Sequence, residues 1–263
     1  MADERLVRTP TSSGNRTTFT FAGWVKQNNP AGTNQYLFGA FSNGNNSGYQ
    51  NTISLSNTDD KAHYFQNTNG TVNSAYTTTA LYRDAGNWLH ILVAVDTTEG
   101  QGVDRAKIYI NGARSKSLSI TTLTAEGHQA NFNSIVQHMI GNWPGLSTDI
   151  LSQLFDVFWI DGQALTPDVF GFYKDGDGYQ SSGSSQATDF RPGQWMPHAP
   201  SKIKKDINRR GGFGVNGFYL PMNDSSNPGA DFHCSPNSII TLKGEDLPQP
   251  RNGAPTTSDA YVS

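Results

Sequence analysis

The stretch from Trp88 to Asp96 constrains the fold more than any other segment of the chain. Trp88, Leu89, Ile91, Leu92, Val93 and Val95 populate both faces of an extended run, as a strand covered on both sides requires. After the polar residues 97–104 the chain returns as Ala106-Lys107-Ile108-Tyr109-Ile110 and meets Asn111-Gly112, the dipeptide that most favours a type I′ hairpin turn. A pair of adjacent antiparallel strands is predicted here, with a further strand from Arg114.

Shorter runs repeat the theme. In residues 17–26, Phe19 and Phe21 alternate with Thr20, Ala22 and Trp24, which predicts a strand with two distinct faces. Residues 36–41, 51–56, 62–66 and 154–160 are candidates of the same kind, separated by Asn- and Gly-rich loops. The run at 154–160 closes on Asp161-Gly162, after which Thr166-Pro167-Asp168 has the form of a helix start, ending near Tyr173. Charged residues make up 16% of the 263, against roughly 25% in an average domain. The 27 glycines and 13 prolines supply turns, and the 11% of aromatics supply core volume. The prediction is an all-β, two-sheet antiparallel jelly-roll sandwich, with one short helix after its last core strand and an irregular C-terminal extension. Residues 1–175 form the core on this reading. Residues 176–263 form a Gly/Pro-rich extension packed on the sandwich, with one further strand at Phe218-Tyr219-Leu220 and an exposed loop over the basic run at 202–210.

The sequence narrows the classes of partner. A net charge of -3 gives no general attraction to nucleic acid or to an anionic membrane. Cys234 is the one cysteine, so neither an intrachain disulfide nor a Cys-based zinc site can form. No apolar leader follows Met1, and no run reaches the ~18 apolar residues of a membrane helix. Synthesis in a cytoplasm without membrane insertion is expected. The end of the sequence, Ala260-Tyr261-Val262, has the texture of another element beginning, which predicts a natural chain that continues.

With the strands placed, their order can be compared. Trp88-Leu89-His90, Val93-Ala94-Val95-Asp96, Ile108-Tyr109-Ile110-Asn111-Gly112, Ile140-Gly141 and 155–165 resemble the LamG and pentraxin branch of the concanavalin A-like lectin/glucanase superfamily, over about residues 15–175. The continuation, Val169-Phe170-Gly171 and then 211–222, is similar to LamG-like structural proteins of marine bacteriophages, cyanophages in particular. The resemblance implies a jelly roll carried on a virion as tail fibre, adhesin or capsid decoration. Asp231-Phe232-His233-Cys234 departs from that family's usual segment.

Chemistry was sought residue by residue. A glycanase on this fold needs two carboxylates on one strand face, about 5 Å apart for the retaining reaction. Asp156 and Asp161 are the nearest pair, and their odd offset puts them on opposite faces, as an exposed Asp and a turn Asp. The six histidines lack zinc-type spacing, and there is no nucleophile elbow or phosphate loop. No catalytic residue is therefore assigned and the chain is read as a non-enzyme.

Carbohydrate binding asks only for an aromatic ring and side-chain amides, for which Tyr49, Tyr76, Asn142 and Trp143 are the candidates. No cofactor is expected. Calcium is the single metal considered, on Asp175 and Asp177, with Asp59, Asp60, Asp96, Asp104 and Asp149 as other rim acids. Lys202, Lys204, Lys205, Arg209 and Arg210 form a candidate partner contact. The sequence reading is thus a lectin-like virion protein that binds host-surface polysaccharide and other virion proteins, with homo-oligomerisation left open. A purely structural decoration or fibre role comes second and glycoside hydrolysis third.

Overall fold

The computed structural model describes residues 5–27, 34–41, 50–56, 58–141, 152–174, 193–232 and 241–243. In chain order the strands are β1 (Arg5–Arg8), β2 (Thr18–Gln27), β3 (Gln35–Phe41), β4 (Gln50–Ser56), β5 (Lys61–Thr68), β6 (Thr71–Thr78), β7 (Leu89–Asp96) and β8 (Ala106–Ile110). They continue as β9 (Ala113–Arg114), β10 (Leu118–Thr122), β11 (Gln137–Ile140), β12 (Ser152–Asp161), β13 (Gly171–Lys174), β14 (Gln194–Pro197), β15 (Phe218–Leu220) and β16 (Thr241–Lys243). A helix, α1 (Pro200–Arg209), lies between β14 and β15.

Among the described residues, one sheet runs β10-β6-β5-β4-β3-β11-β1-β16 and a second runs β15-β12-β2-β7-β8-β9, with β13 and β14 forming a ribbon of their own. The pairings are antiparallel throughout, and the two sheets face each other as a sandwich. Aromatic rings fill the space between them: Phe19, Phe21, Phe38, Phe132 and Trp159 pack at centroid distances of 4.7 to 6.1 Å. Short strands with few long aliphatics close a core this way because each ring buries as much area as two small side chains.

Strand β7 is central, between β2 and β8. Ile91, Val93 and Val95 face the space between the sheets, while Leu92 and Ala94 belong to a second apolar cluster on the outer face. That explains the two-sided apolar pattern of its sequence. The turn at its partner's end has Asn111 at φ 48° and Gly112 at φ 79°, the double left-handed backbone of a type I′ hairpin. The next strand is short: β9 holds two residues, and the chain then crosses to the other sheet as β10.

The outer cluster is roofed by residues downstream of β12: Leu165, Val169 and Phe170, Ile203 and Ile207 of α1, and Phe213 and Tyr219. Here the structure corrects the sequence reading twice. The predicted helix after Thr166 is a single 3-10 turn at Pro167–Val169, without a side-chain cap, and the chain becomes strand again at Gly171. The basic run is the real helix, begun by Pro200 at its first turn and followed by Gly211 and Gly212 with positive φ. Ile203 and Ile207, one turn apart, are its buried face.

Ile207→Ala is expected to lower the unfolding free energy by about 3 kcal/mol, since the side chain is wholly buried. The exposed Lys205→Ala should change it by less than about 0.5 kcal/mol. Urea midpoints of the two variants measure the contrast, and equal midpoints would mean that α1 is not docked.

Candidate functional site

Trp24 projects from β2 onto the outer face of the second sheet, next to Ala22 of the outer cluster, in the alternation that sends Phe19 and Phe21 inward. Its ring lies 5.1 Å from that of His90 on the neighbouring β7. On the other side of β2, β12 pairs Phe155 with Trp24 and then slips, so that Phe158 is the next residue in register, opposite Ala22. The slip is a bulge in which Asp156 takes a left-handed φ of 48°. It leaves Phe155 38% exposed, 6.2 Å from the ring of Trp88, itself 40% exposed just before β7.

The ribbon of β13 and β14 forms the opposite wall. Tyr173 stands edge-on to Trp195 at 5.0 Å and donates its hydroxyl hydrogen to the Asn111 carbonyl at 2.8 Å. Asn111 also accepts the His90 backbone N–H on its side chain at 2.8 Å. The indole of Trp195 lies flat against the hairpin turn: a Cβ on Gly112 would come within 2.3 Å of its Cε3. Glycine at 112 therefore serves both the turn and the approach of the ring.

Together these residues line a groove of about 720 Å³, walled by Trp24, Trp88, Phe155, Tyr173 and Trp195 and edged by the amides of Asn87, Asn111 and Gln194. Beneath it His90 is 2% exposed, and burial pushes its pKa down to about 3, so the ring is neutral. Among the described residues neither His90 Nδ1 nor the Trp195 indole N–H has a protein partner. The groove offers π faces and amide groups, which suits stacking and hydroxyl recognition, and among the described residues no carboxylate lines it.

The predicted site residues fall elsewhere. Tyr76 is fully buried between the sheets, its hydroxyl bonded to the Gly102 carbonyl and the Thr124 N–H, so it cannot stack on a sugar. Tyr49, Asn142 and Trp143 lie outside the described residues, as do Asp175, Asp177 and Asp149. Of the other rim acids, Asp59 bonds His63, Asp60 pairs with Arg83, Asp96 caps Thr98 and Asp104 pairs with Arg114. Among the described residues no three His, Cys, Asp or Glu side chains converge to hold a metal.

The basic cluster is on α1. Lys202 and Arg209 pair with Asp206, Lys204 donates to the Phe232 carbonyl and lies 5.8 Å over the Tyr219 ring, and Lys205 and Arg210 are exposed.

Asp156 and Asp161 are both buried, which corrects the reading of one as exposed and the other as an ordinary turn residue. The Asp156 carboxylate accepts the Tyr219 hydroxyl at 2.5 Å, on the outer face. Burial raises its pKa and, with the carboxylate alongside, raises that of Tyr219 as well. Asp161 accepts from Asn15 N at 2.7 Å, Asn216 N at 3.0 Å and Asn133 Nδ2 at 3.1 Å. Beside it, Asn133 holds the indole of Trp159, a residue of the inner core. The two acids thus serve opposite faces of β12 and cannot flank one glycosidic bond.

The groove escaped the sequence reading, which looked for aromatics in Asn-rich loops. Two signals were present: Trp24 alternates away from the core-facing Phe19 and Phe21, and Trp88-Leu89-His90 puts a large ring beside the central strand. That Trp195 joins them depends on the β13–β14 pairing, which no local pattern announces.

Residues 3–169 match the Laminin_G_3 family of the concanavalin A-like lectin/glucanases superfamily, and the chain belongs to that superfamily. No curated protein sequence matches it. Among solved structures it is similar to a heptameric SAP-like pentraxin of Limulus polyphemus, with 18% identity and a TM-score of 0.40 over 62% of this chain and 71% of that one. It is similar also to the CBM40 of a Ruminococcus gnavus IT-sialidase, 14% identical with a TM-score of 0.40 over 59% and 90%. A third is Trypanosoma rangeli sialidase, 14% identical with a TM-score of 0.39, where the match spans 58% of this chain and 22% of the sialidase.

Proposed function

We propose that this chain is a non-enzymatic, lectin-like domain that binds glycans in the groove between Trp24, Trp88, Phe155, Tyr173 and Trp195. The observation that carries this reading is five aromatic side chains lining one groove on a sheet face, with amides at the edge and no carboxylate among the described residues. Trp88 and Phe155 are the exposed rings, side by side above the buried Trp24 and Trp195; a contiguous exposed apolar patch marks a contact site, and sugars present C–H faces that stack on such rings. Loss of hydrolysis follows from the same lining, since general acid and nucleophile both have to be carboxylates in the usual mechanism.

The phage resemblance of 169–222 supports a place on a virion, where adhesion to host-surface polysaccharide is the use of such a groove. The cationic face of α1 is then the contact to other virion proteins, and this face also favours a second reading, a purely structural decoration protein. Affinity electrophoresis through gels loaded with host-surface polysaccharides tests the first. The wild type should be retarded, and Trp88→Ala should bind roughly thirtyfold more weakly, the loss of a hot-spot tryptophan worth about 2 kcal/mol. With Trp88 40% exposed, its truncation leaves the unfolding midpoint nearly unchanged. Equal mobility of both proteins on every polysaccharide would leave the structural reading.

A further inference from the structure

We infer that the groove's occupant is an uncharged, extended polysaccharide held without a divalent cation, an inference that rests on the glycan-binding reading above. Among the described residues, no Lys, Arg, His, Asp or Glu lines it. A sialic acid, uronate or sulfate seated there would give up hydration with no countercharge among the described residues of the groove's lining, which costs free energy. Neutral hydroxyls face the opposite situation, because Asn87, Asn111 and Gln194 each offer donor and acceptor atoms.

A second depression, of about 310 Å³, adjoins the groove and shares Asn87, Trp88 and Asn111 with it. It does contain charges, of which Arg83 is paired with an acid and Asp84 is hydrogen-bonded to neutral donors only. The Arg83 guanidinium sits 2.6 Å from Asp60, and Asp84 accepts from Gly86 N and Asn87 Nδ2. Among the described residues this depression therefore has no unpaired cation to offer an anion, and Asp84 adds a negative charge that repels one. Trp88 thus stands at the junction of two connected hollows, where a chain of sugars lies across its ring. A single terminal sugar would use only one of them. Among the described residues no three His, Cys, Asp or Glu side chains converge at either hollow to hold a cation.

Isothermal titration of the full chain tests this with four polymers: a neutral glucan, a neutral galactan, a polyuronate and a sulfated galactan. Each is titrated with and without EDTA, and between about 0.05 and 0.5 M NaCl, a range that collapses the Debye length from over 10 Å to a few. The expected result is binding to a neutral polymer, insensitive to EDTA and salt and lost in Trp88→Ala. A hexasaccharide of that polymer should bind at least about tenfold more tightly than the disaccharide, since it engages both hollows. Preference for an acidic polymer, loss of binding in EDTA, or equal affinity for disaccharide and hexasaccharide overturns the inference while leaving glycan binding intact. Binding to none of the four overturns the glycan-binding reading itself.

Discussion

Lowering the pH from 7 to 5 is expected to remove about 4 kcal/mol of folding free energy, a large share of the 5 to 15 kcal/mol typical of a domain. Two histidines are responsible. His90, 2% exposed, is ringed by Trp24, Phe170 and Trp195, and burial pushes its pKa down to about 3. His138, 5% exposed, is pushed down to about 4, again chiefly by burial, with Arg8 adding to the effect and a bond to the Val136 carbonyl opposing it.

The His138 ring accepts the Asn133 N–H on Nε2 while Nδ1 faces that carbonyl, so a proton on Nε2 would meet a donor. Because the folded values lie below the ordinary 6.5, protons bind the unfolded chain first. The stability is intact above pH 6.5 and drains as the pH falls toward 4. Each histidine contributes about 1.4 kcal/mol per unit over the roughly 1.5 units between 6.5 and 5, and two give about 4. Urea unfolding at pH 7, 6 and 5 reads this directly. The raised pKa values of the buried Asp156 and Asp161 act in the opposite direction, so the contrast is read against His90→Gln and His138→Gln: a wild-type profile no steeper than theirs would mean that neither ring is buried as described. His90 stays neutral in the folded chain over this window, so ligand binding by the folded protein should not change between pH 7 and 5.

The second large effect is expected from Asp161→Ala. Its carboxylate is the acceptor for Asn15 N, Asn216 N and Asn133 Nδ2, and so ties the end of β12 to the segment before β2, to the turn at 131–134 and to the chain entering β15. The surroundings are built tightly around it: a Cβ on Gly14 would come within 1.9 Å of Asp161 Oδ2, and one on Gly214 within 2.1 Å of its backbone oxygen. Arg8, from β1, joins the same knot by donating to the Asn216 carbonyl at 3.0 Å.

Truncation to alanine removes the acceptor of the buried Asn216 N–H and of the part-buried Asn15 N–H, at about 1 to 3 kcal/mol each, while Asn133 Nδ2 keeps the Asn15 carbonyl. A loss of about 4 kcal/mol, or about 10 °C in Tm, is the expected result. Asp161→Asn keeps one acceptor oxygen and should lose about half as much. A cost below about 1 kcal/mol for the alanine variant would show that water replaces the carboxylate, and that the knot does not hold these segments.

The sandwich was legible because its main strands advertise themselves. The doubled apolar pattern of β7, the alternation of β2 and the Asn111-Gly112 turn are local signals, and local geometry follows from them. Strand β6 was not seen, since Thr71–Thr78 carries mostly Thr, Ser and Asn, and its pairing with β5 is fixed instead by the Asn69-Gly70 turn, with φ of 49° and 83°.

Helix α1 carried its signals in plain view, Pro200, Ile203, Ile207 and Gly211, but the run of five cations outweighed them. The candidate site was the least legible part. Its five aromatics come from segments up to 171 residues apart, Trp24 to Trp195. What unites them is a bulge at Asp156 and a ribbon between β13 and β14, both tertiary features.

Glycan recognition through the outer sheet-face groove is the function proposed for this chain. A crystal structure of the chain grown with a neutral hexasaccharide tests it most directly. The account predicts sugar rings stacked on Trp88 and Phe155, with hydroxyls on Asn87, Asn111 or Gln194. Sugar bound instead at the loops around Tyr49, Asn142 and Trp143, with the groove untouched, would contradict it.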